Sequence, residues 1–169
     1  MKKAIRVKRL EQLLEMMQNH HKLFPNVKFN INLWGSSLDY KNNRAEAPKQ
    51  DCGSAACALG SACLYKPFTK FGLKIPKSGW DPEYLTYSGY EAGAKFFGLT
   101  NAESIWLFNP HSYRQANNDS YHDVTRAMVI KRIKKLLEHY KLMPANMQIV
   151  LIPETDHLPF DYYRFGVPK

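Results

Sequence analysis

The residue with the clearest potential for covalent chemistry is Cys52, which begins a run of small neutral residues. We predict that this run forms a helix, and a helix N-terminus lowers the pKa of a thiol and makes it more nucleophilic. A thiol nucleophile needs a base, and His111 and His122 are the candidates. One hypothesis is therefore a Cys-dependent hydrolase or transferase. In the alternative, Cys52 packs in the core, as cysteines among small apolar neighbours commonly do.

The cysteines do not have the spacing of a metal site. Four residues separate Cys52 from Cys57 and five separate Cys57 from Cys63, whereas zinc-binding pairs lie closer together. On one helix, these steps turn the side chains apart by about 140° and about 120°. A single ion cannot collect all three, so the sequence predicts neither a metal nor another cofactor.

A second group of residues suits an anionic ligand. From Cys52 to Trp80 the sequence has no acidic residue, and lysines alternate with aromatic residues over 65–80. Because lysines neutralise phosphates and aromatic rings stack on bases, this composition is typical of surfaces that bind single strands or nucleotides. The predicted ligand-binding residues are Lys66, Lys70, Lys74, Lys77, Trp80, Tyr113 and Arg114. In the alternative, the aromatic residues are core anchors and the lysines are solvated.

The distribution of charge favours the same hypothesis. The chain carries a net charge of +9; residues 1–80 hold 14 basic and five acidic residues, and residues 81–169 hold ten of each. Such asymmetry indicates an anionic partner: nucleic acid, a nucleotide or an acidic surface. A host protein fits less well, because mimicry of a nucleic acid needs an acidic surface. The first helix would extend the basic field through Lys2, Lys3, Arg6, Lys8 and Arg9.

These residues must be positioned by a mostly helical fold. An apolar fraction of 44% excludes disorder, and no stretch approaches the length of a membrane span. We therefore expect a cytoplasmic protein with one α+β domain over 1–169 and a short two-stranded sheet. Apolar spacing predicts strands at 29–33 and 147–152, and helices at 5–21, 52–65, 89–97, 101–108 and from Thr125 to before Pro144.

The corner between the helices at 89–97 and 101–108 has the spacing of a helix-turn-helix motif. A recognition helix needs basic residues toward the groove, yet no Lys or Arg occurs from Phe96 to Tyr113. We therefore predict that the second helix is buried and does not read DNA.

The segment Cys52-Gly53-Ser54-Ala55-Ala56-Cys57-Ala58-Leu59-Gly60 resembles the Cys-Gly-Thr/Ser-x-x-Cys-x-x-Gly helix of small uncharacterised proteins in phage and bacterial genomes. The resemblance continues at Phe97-Gly98-Leu99-Thr100 and at Leu107-Phe108-Asn109-Pro110, and spans roughly residues 30–140. It implies a phage or mobile-element accessory protein and carries over no catalytic role. The sequence thus favours a non-enzymatic protein that binds an anionic ligand, with Cys52-dependent catalysis as the alternative.

Overall fold

A computed structural model describes residues 1–34, 54–76, 81–113 and 124–142. These residues form a mostly helical α+β fold, which confirms the predicted class. The helices are α1 (Lys3–Gln18), α2 (His20–Leu23), α3 (Ala58–Ala62), α4 (Lys66–Thr69), α5 (Gly89–Phe97), α6 (Asn101–Phe108) and α7 (Arg126–Leu142), with a 3₁₀ turn at Pro110–Tyr113. The strands are β1 (Val27–Phe29), β2 (Ser54–Ala56), β3 (Glu83–Tyr84) and β4 (Tyr87–Ser88).

The long helices α1 and α7 make the most extensive contact between elements of the described chain. At the start of α1, Lys3 Nζ donates to the carbonyl of Lys141, near the end of α7, at 2.9 Å. Just after the end of α1, His20 interacts electrostatically with Arg126, the first residue of α7. The two helices therefore run antiparallel. Their facing sides supply much of the core, through Leu10, Leu13, Met16, Met17, Val129, Ile133, Leu136, Leu137 and Tyr140. None of the helices in the described ranges has the length and apolar character needed to cross a membrane.

The prediction of one helix over 52–65 is wrong. Ser54–Ala56 forms strand β2, which pairs in parallel with β1, and α3 begins only at Ala58. The N-cap of α3 is Cys57, whose Sγ accepts a hydrogen bond from the Gly60 amide at 3.3 Å. A strand buried on both faces lacks polar alternation, so its small residues resemble a buried helix in sequence.

Gly60 allows the segment after β1 to lie directly on α3. A Cβ atom at this position would stand 1.4 Å from the Trp34 carbonyl oxygen. The Cys57 amide also donates to the Leu33 carbonyl, at 2.5 Å. Because any side chain at residue 60 would displace that backbone, the glycine fixes where Trp34 sits.

The corner between α5 and α6 follows the sequence prediction closely. Gly98 ends α5 in the left-handed conformation at φ 72°. Thr100 and Glu103 form a reciprocal capping box at the start of α6, whereas Ser88 caps α5 without a side-chain hydrogen bond. Most of α6 is buried, as the sequence predicts for this second helix: the buried residues are Glu103, Ser104, Trp106, Leu107 and Phe108.

Candidate functional site

The aromatic residues of the 65–76 segment divide between the core and the surface. Phe68 on α4 is fully buried, with its ring 5.3 Å from that of Phe96 and 5.4 Å from that of Phe97. Three residues later, Phe71 leaves 54% of its surface exposed. Phe68 is therefore a core anchor. Phe71 is exposed enough to contact a ligand, although it was not among the predicted site residues.

Two cations lie close to the Phe71 ring. The Lys70 ammonium is 5.1 Å from the centre of its ring, and the Arg9 guanidinium is 5.6 Å from it. Both distances are within the range of cation–π attraction. An exposed ring held beside two positive charges offers stacking and phosphate neutralisation at one place.

Helix α1 supplies Arg9, and the core holds it in position. Its guanidinium lies 4.1 Å from the ring centre of Phe96 and donates to the Phe96 carbonyl oxygen. Since a guanidinium has five N–H donors, this anchoring leaves donors for a ligand. The expectation that basic residues of the first helix extend the field of the 65–80 segment is thus met by Arg9.

The described lysines of this segment, Lys66, Lys70 and Lys74, are all exposed. Lys66 and Lys70 lie four residues apart at the two ends of α4, which brings them to the same side of one turn. Lys74 follows after α4 and forms a backbone bridge with Glu83. We define the Phe71 surface as Arg9, Lys66, Lys70, Phe71 and Lys74.

Five predicted site residues lie outside the described part of the chain, so the structure does not place them: Cys52, Lys77, Trp80, Arg114 and His122. The helix predicted to begin at Cys52 begins elsewhere, however. The helix that was to lower its pKa starts at Ala58, with Cys57 as the N-cap. Burial raises the pKa of the Cys57 thiol to about 11, so this cysteine is protonated at neutral pH.

Tyr113 does not belong to a ligand-binding surface. The residue is buried, and its hydroxyl donates to the Leu107 carbonyl at 2.6 Å. The Arg132 guanidinium lies only 3.5 Å from the centre of its ring. The predicted stacking role is therefore wrong, because a buried ring covered by an arginine offers no face to a ligand.

His111 is exposed at the rim of a cavity of about 260 Å³, in the 3₁₀ turn after α6. The aromatic side chains of Trp34 and Tyr90 line the same cavity. Within the described residues, no group of three His, Cys, Asp or Glu side chains is arranged to hold a metal ion.

Sequence reasoning missed a buried histidine. The His20 Nε2 atom lies 3.0 Å from Ser61 Oγ, and both residues are buried. Burial is the main cause that lowers the pKa of His20 to about 4, helped by the charge of Arg126. The pair resembles a serine–histidine dyad, but its burial gives it a structural role. Its two members lie far apart in sequence, so no local pattern signals it.

No protein-family model, curated protein or solved structure matches this chain. The described residues nevertheless bring Arg9, Lys70 and Phe71 together at one exposed place. These contacts of Phe71 with Arg9 and Lys70 are the main structural basis for a functional proposal.

Proposed function

We propose that this chain is a phage-like accessory protein that binds single-stranded nucleic acid or nucleotides through the Phe71 surface, without catalysis. The phage-like character follows from the sequence resemblance alone. The observation that carries the binding proposal is the exposed Phe71 ring with the Arg9 and Lys70 cations beside it.

The chemistry of the surface favours single strands over duplexes. An exposed ring can stack on an unpaired base, which every nucleotide offers, while a paired base keeps its faces inside the helix. Lysine and arginine neutralise the neighbouring phosphates and bind them without regard to sequence. We therefore expect binding that depends strongly on salt and weakly on sequence.

The test measures the affinity of the full chain for a fluorescent single-stranded oligonucleotide at several salt concentrations. Phe71→Ala removes the stacking ring, and we expect it to weaken binding about tenfold. The triple variant Lys66→Glu, Lys70→Glu, Lys74→Glu removes the cations. It should reduce the salt dependence by about 0.7 in log–log slope for each phosphate that the protein no longer neutralises.

Two matched controls separate the surface from general effects. Leu85→Ala removes another exposed apolar side chain, at 76% exposure. Lys131→Glu, Lys134→Glu, Lys135→Glu makes the same change of net charge on α7, where all three lysines are exposed. Both control proteins should bind more tightly than the corresponding surface variants.

Three results would overturn the proposal: no binding by the wild-type chain, equal losses of affinity in the two triple variants, or preference for a duplex of the same length. Free mononucleotides in the same assay distinguish the two ligand sizes. Competition by a mononucleotide at low concentration would identify the nucleotide as the ligand, and an advantage that grows with strand length would identify the strand.

A further inference from the structure

The cavity beside His111 shares none of its described lining residues with the Phe71 surface. It has a volume of about 260 Å³, and its walls include Ile31, Trp34 and Tyr90. The Trp34 and Tyr90 rings meet edge to face, with centres 4.8 Å apart. This volume is slightly below the range of pockets that hold drug-sized ligands, so it suits one small ring system.

The walls of this cavity are fixed by three different elements. The Trp34 backbone lies on α3 at Gly60, where a Cβ would collide with it. The Tyr90 carbonyl accepts a hydrogen bond from Ser104 Oγ at 2.7 Å, which ties α5 to α6. Asn109 Oδ1 accepts from the His111 amide at 2.9 Å, which orders the turn after α6. A cavity built this way is ready for a ligand before the ligand arrives.

The cavity offers hydrogen-bonding groups beside its aromatic rings. Asn32 and Asn109 contribute carboxamides, and His111 contributes an imidazole. Since Asn109 Oδ1 is already bonded to the His111 amide, its Nδ2 atom is the group that can donate to a ligand. Among the described residues that line the cavity there is no carboxylate, ammonium or guanidinium.

The apolar walls distinguish between neutral ligands. A monosaccharide carries hydroxyls around its whole ring and has no flat face to lie against the Trp34 and Tyr90 rings. A flat heterocycle carries its donors and acceptors at the edge and has two apolar faces. Carboxamide side chains pair with such edges, as asparagine does with adenine.

We infer that this cavity binds a single nucleobase, with Trp34 and Tyr90 as aromatic walls and Asn32 and Asn109 as edge contacts. The choice of a nucleobase over other flat heterocycles rests on the proposed function. The cavity thereby adds base recognition to a surface that binds phosphates without regard to sequence.

The test uses free nucleosides. Because they carry no phosphate, they cannot form ion pairs with the cations of the Phe71 surface. Binding of adenosine, guanosine, cytidine and uridine to the full chain is measured by isothermal titration. At least one nucleoside should bind saturably with one site per chain. Tyr90→Leu should weaken that binding roughly tenfold, because it removes a stacking ring. Asn32→Ala, at an exposed position, should weaken it several-fold, because it removes a hydrogen bond.

Asn101→Ala, at an exposed position on α6, is the control and should leave nucleoside affinity unchanged. The inference is overturned if no nucleoside binds, if Tyr90→Leu and Asn32→Ala bind as wild type, or if glucose binds where nucleosides do not. If nucleosides bind and oligonucleotides do not, the proposed function is overturned and the nucleobase site is supported. If oligonucleotides bind and nucleosides do not, the nucleobase site is overturned and the proposed function is supported.

Discussion

Two arginines of this protein lie against aromatic rings, and their surroundings differ completely. Arg132 on α7 lies 3.5 Å from the ring centre of Tyr113 and 4.6 Å from that of Trp106, in an interior corner of the fold. Arg9 on α1 lies 5.6 Å from the ring centre of Phe71, on the surface. Arg132 is packed against two aromatic rings of the interior. Arg9 lies beside a ring that is exposed to solvent.

The hydrogen bonds explain why the half-buried Arg132 needs no carboxylate. Arg132 donates to the Ser112 hydroxyl at 2.7 Å and to the carbonyl oxygens of Trp106 and Ser112. Desolvation lowers its pKa, and Tyr113 opposes this change. The same pair of chemical groups thus serves the fold in one region, and in the other it is the pair that the proposed function assigns to a ligand. Variants of the two regions should accordingly separate loss of stability from loss of binding.

The largest effect on stability is expected from Arg132→Met. The variant keeps the bulk of the stem but removes three hydrogen bonds from a charged donor, to the Ser112 hydroxyl and to the Trp106 and Ser112 carbonyls. The Trp106 carbonyl keeps the Ser112 hydroxyl as a donor. The free energy of unfolding should therefore fall by about 4 kcal/mol. Urea unfolding followed by tryptophan fluorescence measures it. Lys135→Met, at an exposed position of the same helix, should change it by less than about 0.5 kcal/mol. Equal effects of the two variants would show that Arg132 is dispensable for the fold.

A change of pH tests the interior through His20. Its pKa is about 4 in the folded chain, below the ordinary 6.5, so on acidification the unfolded chain takes up the proton first. Stability should therefore begin to fall below pH 6.5 and level off below pH 4, with a total loss of about 3 kcal/mol from this group. Urea titrations across that range would show the decline in wild type and in His21→Gln. A similar decline in His20→Gln would assign it to other groups.

Tyr140→Phe should have an intermediate effect. The Tyr140 hydroxyl donates to both carboxylate oxygens of buried Glu103, at 2.8 and 2.6 Å. Without it the carboxylate keeps only the donors of Thr100, so the free energy of unfolding should fall by about 2 kcal/mol. Tyr87→Phe, which removes the hydroxyl of a half-buried tyrosine on β4, is the control. Equal midpoints for the two variants would contradict the expectation.

Phe71→Ala should have the smallest effect on stability. Its ring is exposed, and cation–π contacts at exposed sites contribute only about 0.5–1 kcal/mol. Thermal unfolding should therefore shift by no more than a few degrees, although oligonucleotide binding drops about tenfold. A fall in stability as large as that of Arg132→Met would mean that both arginines serve the fold.

The features predicted correctly from sequence are those that depend on neighbouring residues. The helices predicted at 89–97, at 101–108 and from Thr125 correspond to α5, α6 and α7, and each follows from spacings of a few residues. Strand β2 was missed because its pairing with β1 is not local, and small residues suit strand and helix alike. The same limit applies to the sites. Lys66, Lys70 and Lys74 were identified by composition, but nothing local places Arg9 beside Phe71.

The pairing of α1 with α7 has a consequence for how the chain is made. Lys3 and Lys141, which touch in the folded protein, are 138 positions apart, so the first helix leaves the ribosome long before its partner exists. At cellular rates of synthesis that interval is on the order of ten seconds. During it Leu10, Leu13 and Met17 lack their final cover, and the pairing of such distant segments is intrinsically slow. A nascent chain arrested before Arg126 should therefore be a substrate for chaperones, whereas the finished chain should not.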